Sequence, residues 1–166
     1  MATSISERLR QLAEKYVQIA AEVLGDNLMS IALFGSVARG EATETSDIDL
    51  FVVCRQLPNG VFKRHELLEP IRERLYPELK RLWEQDIYAN LSELAFTEEE
   101  ARQLRWIYLD MVEDAVILFD RDGFLEGMLN LLRKRLQELG AQRRNLGKVR
   151  YWVLKPDLKP GEVVEL

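Results

Sequence analysis

The sequence predicts an α/β (α+β) chain, on three observations. Stretches with apolar residues at helical spacing alternate with short, nearly continuous apolar runs bounded by glycine and turn residues. No repeat or low-complexity segment interrupts this alternation. The chain has 166 residues, 47% of them apolar, enough for one domain with a substantial core and too few for two full ones.

Residues 4–24 place Ile5, Leu9, Leu12, Ala13, Tyr16, Ile19, Ala20 and Val23 on one face, with Thr3 or Ser4 available as a cap and Gly25 as a stop. "MSIALF" (29–34) reads as a buried strand, and "DIDLFVVC" (47–54) as a second. After the turn "LPNG", residues 61–84 have a helical pattern, with breaks expected near Pro70 and Pro77, because proline removes a donor and crowds the preceding turn. A third strand is read at 86–97, since "TEEEA" after it is a helix start with Thr97 as cap and acids in the first turn. Residues 98–118 read as helix, with the last five open to a strand instead. A final helix over 123–139 carries Leu125, Met128, Leu129, Leu132, Leu136 and Leu139 and stops at Gly140. The tail has room for one strand before two Lys-Pro pairs end regular structure.

Composition narrows the function. No basic region followed by an apolar stretch opens the sequence, and no run approaches the roughly 18 apolar residues of a membrane span, so a cytoplasmic location is expected. Cys54 is the only cysteine, which excludes an internal disulfide and a cysteine zinc site; it is expected to pack as a small apolar residue. His65, also alone, suits a surface or packing role. Trp83, Trp106, Tyr108 and Trp152 suit core or interface. A net charge of −5 argues against nucleic acid as the main ligand. The charge is uneven: residues 133–150 hold seven bases against Glu138, a local +6.

The chemistry-bearing stretch is "LFGSVARGEATETSDIDLFVV" (33–53). Alternate side chains of a strand share a face, so Asp47 and Asp49 aim two carboxylates at one spot, where they repel unless a cation lies between them. Gly35 permits close approach of a ligand to the backbone, and Ser36 with the following amides can donate to phosphate oxygens. Hard carboxylate oxygens in this arrangement suit magnesium, which shares its shell with water and substrate phosphates.

Gly35-Ser36, ten intervening residues, then Asp47-Ile48-Asp49 with "IALF" before and "LFVV" after resembles the nucleotidyltransferase superfamily typified by DNA polymerase beta. The size and the tail "YWVLKPDLKPGEVVEL" resemble the small prokaryotic proteins called minimal nucleotidyltransferases. The resemblance implies a mixed sheet with flanking helices. It implies transfer of a nucleoside monophosphate, AMP from ATP being expected, to a protein or small-molecule hydroxyl. Carried across by position, Gly35 and Ser36 would hold the triphosphate, and Asp47 and Asp49 would bind magnesium and be catalytic. Arg39 is either a phosphate contact or a surface arginine of the turn. The family's third carboxylate should lie on the next strand, where "YANLSEL" puts Asn90 and Ser92 on one face and Glu93 on the other, with Asp86 at the start. It is therefore Asp86, Glu93 or absent.

Two readings follow: a magnesium-dependent transferase, or a nucleotide- or partner-binding module on the same fold. Minimal nucleotidyltransferases serve as antitoxins that adenylylate a helical RNase toxin, a role that fits either; a homodimer is a further expectation. Residues 1–120 are expected to form the nucleotidyltransferase domain, with the helix and basic tail of 121–166 packed on it. The basic end, with Tyr151 and Trp152 as an exposed aromatic pair, is expected to recruit an acidic partner or the acceptor and to leave the triphosphate to the Gly35-Ser36 turn.

Overall fold

The computed structural model describes residues 3–103 and 105–166. Helix α1 (Ile5–Leu24) opens with a reciprocal cap: the Glu7 amide donates to Ser4 Oγ at 3.2 Å, and the Ser4 amide to Glu7 Oε2 at 2.8 Å. Strand β1 (Leu28–Phe34) runs into the one-turn helix α2 (Gly35–Ala38), and a loop leads to β2 (Ile48–Cys54). Helix α3 (Val61–Trp83) crosses to β3 (Leu91–Thr97), followed by α4 (Glu98–Ala101), α5 (Arg105–Met111), β4 (Val116–Asp120), α6 (Phe124–Leu139) and the hairpin β5 (Gln142–Leu146) and β6 (Val149–Val153).

Four strands form one mixed sheet in the order β3-β2-β1-β4. β1 is antiparallel to β2 and β4, whereas β2 and β3 are parallel, which needs the long crossover that α3 provides. β1 and β2 are central and covered on both faces, hence their continuous apolar runs. Ile48, Leu50, Val52 and Cys54 join α1 and α3 in one core layer, and Phe51 and Val53 join α5 and α6 in the other. Cys54 is buried there as a free thiol, and burial pushes its pKa up to about 11. Among the described residues no helix is long and apolar enough to cross a membrane.

The elements differ from their sequence reading in four places. Helix α3 is unbroken. Pro70 and Pro77 are seven residues apart on its exposed face, and Glu66 and Glu73, whose carbonyls lose a donor, are exposed to water. β3 starts at Leu91 because earlier amides are used elsewhere: Ile87 donates to Leu82 and Tyr88 to Glu44. The helix over 98–118 is divided. Thr97 caps α4 as expected, but the Tyr108 hydroxyl takes the Ala101 carbonyl at 2.6 Å, and the β-branched and aromatic run 116–120 pairs with β1 as the alternative strand. The tail holds two strands, joined at Gly147-Lys148, where Gly147 has φ +61° as a tight two-residue turn demands.

Since both prolines sit on the solvent side of α3, Pro70→Ala should restore a backbone donor without disturbing the core. Proline costs about 3 kcal/mol against alanine inside a helix, partly offset by its stiffening of the unfolded chain, so a net gain of ~1–2 kcal/mol is expected in urea unfolding. A loss would show that the ring makes contacts that outweigh the missing hydrogen bond.

Candidate active site

The site is built where β1 ends and β2 begins. The antiparallel register sets Asp49 opposite Phe34, so the next residue, Gly35, lies against the Asp49 side chain. Gly35 has φ +73°, and a Cβ there would stand 2.3 Å from Asp49 Oδ2. Only glycine fits, for its conformation and for the space. The chain then turns through α2, with Arg39 donating from its amide to the Gly35 carbonyl at 3.2 Å and Glu41 to that of Ser36 at 2.9 Å. Two further bonds brace the loop: the Ala42 amide donates to the buried Ser6 Oγ of α1 at 3.0 Å, and that of Thr43 to Ser46 Oγ at 2.9 Å.

Asp47 immediately precedes β2 and is exposed, and Asp49 is half-buried on the strand. Alternation places both on the face of Phe51 and Val53. The Asn90 amide donates to Asp47 Oδ1 at 3.2 Å and fixes that carboxylate. Burial raises the Asp49 pKa, the Ser92 hydroxyl lowers it, the Asp47 charge raises it and Arg39 lowers it, with a net rise. The Asp47 charge thus acts on Asp49 from the same face of the sheet, the like-charge pairing that their spacing in the sequence implies. Arg39 is close enough to act on Asp49, while its own Nε donates to Glu41 Oε2 at 2.9 Å.

Among the described residues neither proposed third carboxylate joins this pair. Parallel pairing sets Ser92 beside Asp49, on the face of Leu94 and Phe96. Glu93 points through the opposite face into the α1/α3 layer, where it accepts from Tyr16 Oη at 2.5 Å and from Arg72 Nε, and its side chain is only 1% exposed. The same burial and the Glu93 charge hold the Tyr16 phenol well above its ordinary pKa, so it stays a donor. Arg72 also bonds His65 Nδ1 at 2.7 Å, which accounts for the lone histidine as part of a structural network. Asp86 sits in the turn after α3 at φ +61° and accepts from Tyr88 at 3.0 Å.

Two carboxylates, a serine hydroxyl and an adjoining turn fit a magnesium ion that keeps water and takes its remaining ligands from phosphate. Among the described residues no three His, Cys, Asp or Glu side chains converge on one point, so the protein alone does not form a closed metal cage. Of the residues the sequence singles out, the structure sets Gly35 against Asp49 and puts Asp47 on the same face, and it adds Ser92 as the hydrogen-bond partner of Asp49. Strand alternation was the signal for it. The structure also adds Glu41 as the partner of Arg39, a contact for which the sequence carries no local signal.

Residues 14–155 match the family described as "Nucleotidyltransferase domain". The chain belongs to this family. The nucleotidyltransferase is 28% identical over 133 residues, 79% of this chain and 85% of the relative, to "Putative protein adenylyltransferase MJ1305" of Methanocaldococcus jannaschii. Among solved structures it is similar to one called "a putative nucleotidyltransferase from Sulfolobus solfataricus", at 25% identity and TM-score 0.44, covering 74% of this chain and 94% of that one. It is also similar to a chain of the complex of the tri-AMPylated Shewanella oneidensis HEPN toxin with MNT antitoxin, at 16% identity and TM-score 0.40, covering 80% and 92%.

Because Asp49 holds its proton more tightly in the folded than in the unfolded chain, its contribution to stability is fullest at low pH and is lost as pH rises through its raised folded value. Asp49→Asn should therefore melt at the same or a slightly higher temperature than the wild type near neutrality, with the difference vanishing below the carboxylate range. Magnesium with ATP should raise the wild-type melting temperature, by about 2.7 kcal/mol of added stability at a hundred times Kd, and leave the variant unmoved. Glu93→Ala should behave oppositely. Stranding Arg72 and Tyr16 costs roughly 2–3 kcal/mol in denaturant unfolding, at the lower end for a buried pair because Arg72 is partly solvated, and ATP affinity per folded molecule stays the same.

Proposed function

We propose that the protein is a magnesium-dependent adenylyltransferase that moves AMP from ATP to a hydroxyl group of a protein. The observation that carries this is the void at Gly35, which seats the Asp49 carboxylate against the turn that would receive the phosphates. Family membership and the name of the curated relative support adenylyl transfer; the resemblance to minimal nucleotidyltransferases supports an antitoxin acting on a helical RNase toxin. Residues 1–120 carry the reaction in this reading, and 121–166 cover the sheet and border the cleft.

In the proposed reaction, Ser36 and the amides of its turn bind the triphosphate. Asp47 and Asp49 hold magnesium, with the Asn90 amide orienting the first and Ser92 the second. Magnesium, when bound, would neutralise charge developing on the attacking and leaving oxygens. The acceptor hydroxyl oxygen bonds to the α-phosphorus as the bond to the bridging oxygen breaks. Pyrophosphate leaves, and the hydroxyl proton passes to solvent or to the carboxylate pair.

One observation favours a second reading: the residue beside Asp49 on β3 is Ser92, and Glu93 points through the opposite face of the sheet. A site with two carboxylates that binds nucleotide without turnover would make the protein a binding module.

The test is incubation with magnesium, lysate of the source cells and ATP radiolabelled at either the α- or the γ-phosphate. Adenylyl transfer labels an acceptor from α-labelled ATP only. Asp47→Asn, which removes a metal ligand worth several kcal/mol of transition-state stabilisation, should lower that label by about 100-fold or more. Binding of ATP without label in any acceptor would favour the binding module, and label from the γ-phosphate would exclude adenylyl transfer.

A further inference from the structure

The basic end of the chain is not a free patch. Arg143 is clamped by Glu113 Oε2 at 2.8 Å and Asp114 Oδ2 at 2.5 Å, and Trp152 donates from Nε1 to the Leu109 carbonyl at 2.9 Å. Trp152 is thus packed against α5 instead of forming an exposed aromatic pair with Tyr151. Arg143 faces Trp152 across the hairpin and Asn145 faces Arg150, so these four share its inner side. The first two anchor the hairpin to the α5/α6 layer, on the sheet face that bears Asp49. The other two project beyond that anchor toward the loop after α2.

There Arg150 Nη2 donates to Glu41 Oε1 at 2.5 Å, across 109 residues of sequence. Glu41 thus bonds two arginines at once, Arg39 from the phosphate turn and Arg150 from the hairpin. Arg39, Glu41, Asn145, Gly147, Lys148 and Arg150 line one cleft. Lys148 at its rim is exposed and makes no ion pair among the described residues. Three cations line this cleft with Glu41 as the one carboxylate among its lining residues, beside a turn of the kind that receives phosphates. The Arg39 and Arg150 bonds lower the Glu41 pKa, so the cleft carries an internal anion.

We propose that the β5–β6 hairpin is the second wall of the triphosphate site, in which Arg150 and Lys148 join Arg39 in binding the β- and γ-phosphates, and Glu41 is an internal substitute that these phosphates displace. This deepens the adenylyltransferase reading and rests on it for the place of the α-phosphate at Asp47 and Asp49. It replaces the division of labour that the sequence suggests, in which the basic end serves only the partner. Such a wall would favour a long polyphosphate over a monophosphate, since in this arrangement the β- and γ-phosphates are the groups that meet the hairpin. It also gives binding a mechanical consequence: the anion takes over both arginines, so the hairpin's hold on the turn passes from Glu41 to the substrate.

The test measures binding of magnesium-ATP, AMP and inorganic tripolyphosphate without metal by titration calorimetry, on the full chain. Losing two charge-assisted contacts, the Lys148→Ala/Arg150→Ala variant should bind ATP and tripolyphosphate about ten-fold more weakly or worse, with AMP affinity unchanged within about two-fold. Glu41→Gln should bind tripolyphosphate more tightly than the wild type, because a competing anion is gone. If the double variant loses stability, Lys148→Ala alone, at an exposed position without an ion pair, should still weaken both polyphosphates. Wild-type affinity for ATP and tripolyphosphate in the hairpin variants overturns the proposal; if acceptor labelling then falls, the hairpin belongs to the acceptor. Tripolyphosphate binding that depends on the hairpin, in a protein that transfers no label, keeps this inference and removes the transferase reading. A wild-type chain that binds neither polyphosphate ends both.

Discussion

The contact between Gly35 and the Asp49 carboxylate is the constraint on which the site depends. It fixes three things at once. A residue without a side chain must follow β1, because a Cβ would stand 2.3 Å from Asp49 Oδ2. The turn must bend in the left-handed region, which Gly35 adopts at φ +73°. The β1–β2 register must set Asp49 against Phe34, since a one-residue slip would turn Asp49 to the other face and bury it beneath α1 and α3. Fold and proposed chemistry are joined here: the hydrogen-bond ladder between two central strands decides where the Asp49 carboxylate meets the Gly35-Ser36 turn.

The sheet also sorts charge by parity. Asp49 and Ser92 lie on the α5/α6 face at an end that leaves Asp49 half exposed. Glu93, one residue on, emerges on the other face and is enclosed by α1 and α3. A carboxylate sealed from water must be paired, and Arg72 with Tyr16 supplies that pairing. Asp49 has no such full compensation. Burial and the Asp47 charge oppose its ionisation and only Ser92 and Arg39 favour it, so its charge is held at a cost that a cation would relieve. Two acids on one sheet thus differ in charge compensation through the face on which each emerges and the partners it meets there.

What was legible in the sequence was local. Gly35-Ser36 and Asp47-Asp49 lie within fifteen residues, on elements whose periodicity is strong, and alternation alone puts the two aspartates on one face. The strand at 48–54 and the helix at 5–24 were readable for the same reason. The unbroken α3 was not, because the effect of Pro70 and Pro77 depends on whether the orphaned carbonyls meet water or core, which only packing decides. Glu93 could be placed on a face but not assigned a role, since Tyr16 and Arg72 reach it from 77 and 21 residues away. The hairpin was half hidden because "QRRNL" is too polar to read as a strand; Trp152 and Arg143 hold it in place through contacts that local pattern does not encode.

A net charge of −5 poses a problem for a protein that must attract a polyanion, and the structure resolves it by placement. Acids far from the cleft do little harm to binding, because solvent screens exposed charges beyond about 10 Å. Those near it are mostly engaged: Glu113 and Asp114 by Arg143, Glu41 by Arg39 and Arg150. The pairings are not equivalent. Asp114 is partly buried and held by an arginine that also anchors the hairpin, so breaking it would loosen the whole β5–β6 unit. Glu41 is 48% exposed and its two bonds face solvent, where such pairs contribute little to stability. A strong clamp next to a weak one would let the hairpin stay attached while its tip changes partner, as the proposed second wall of the triphosphate site requires.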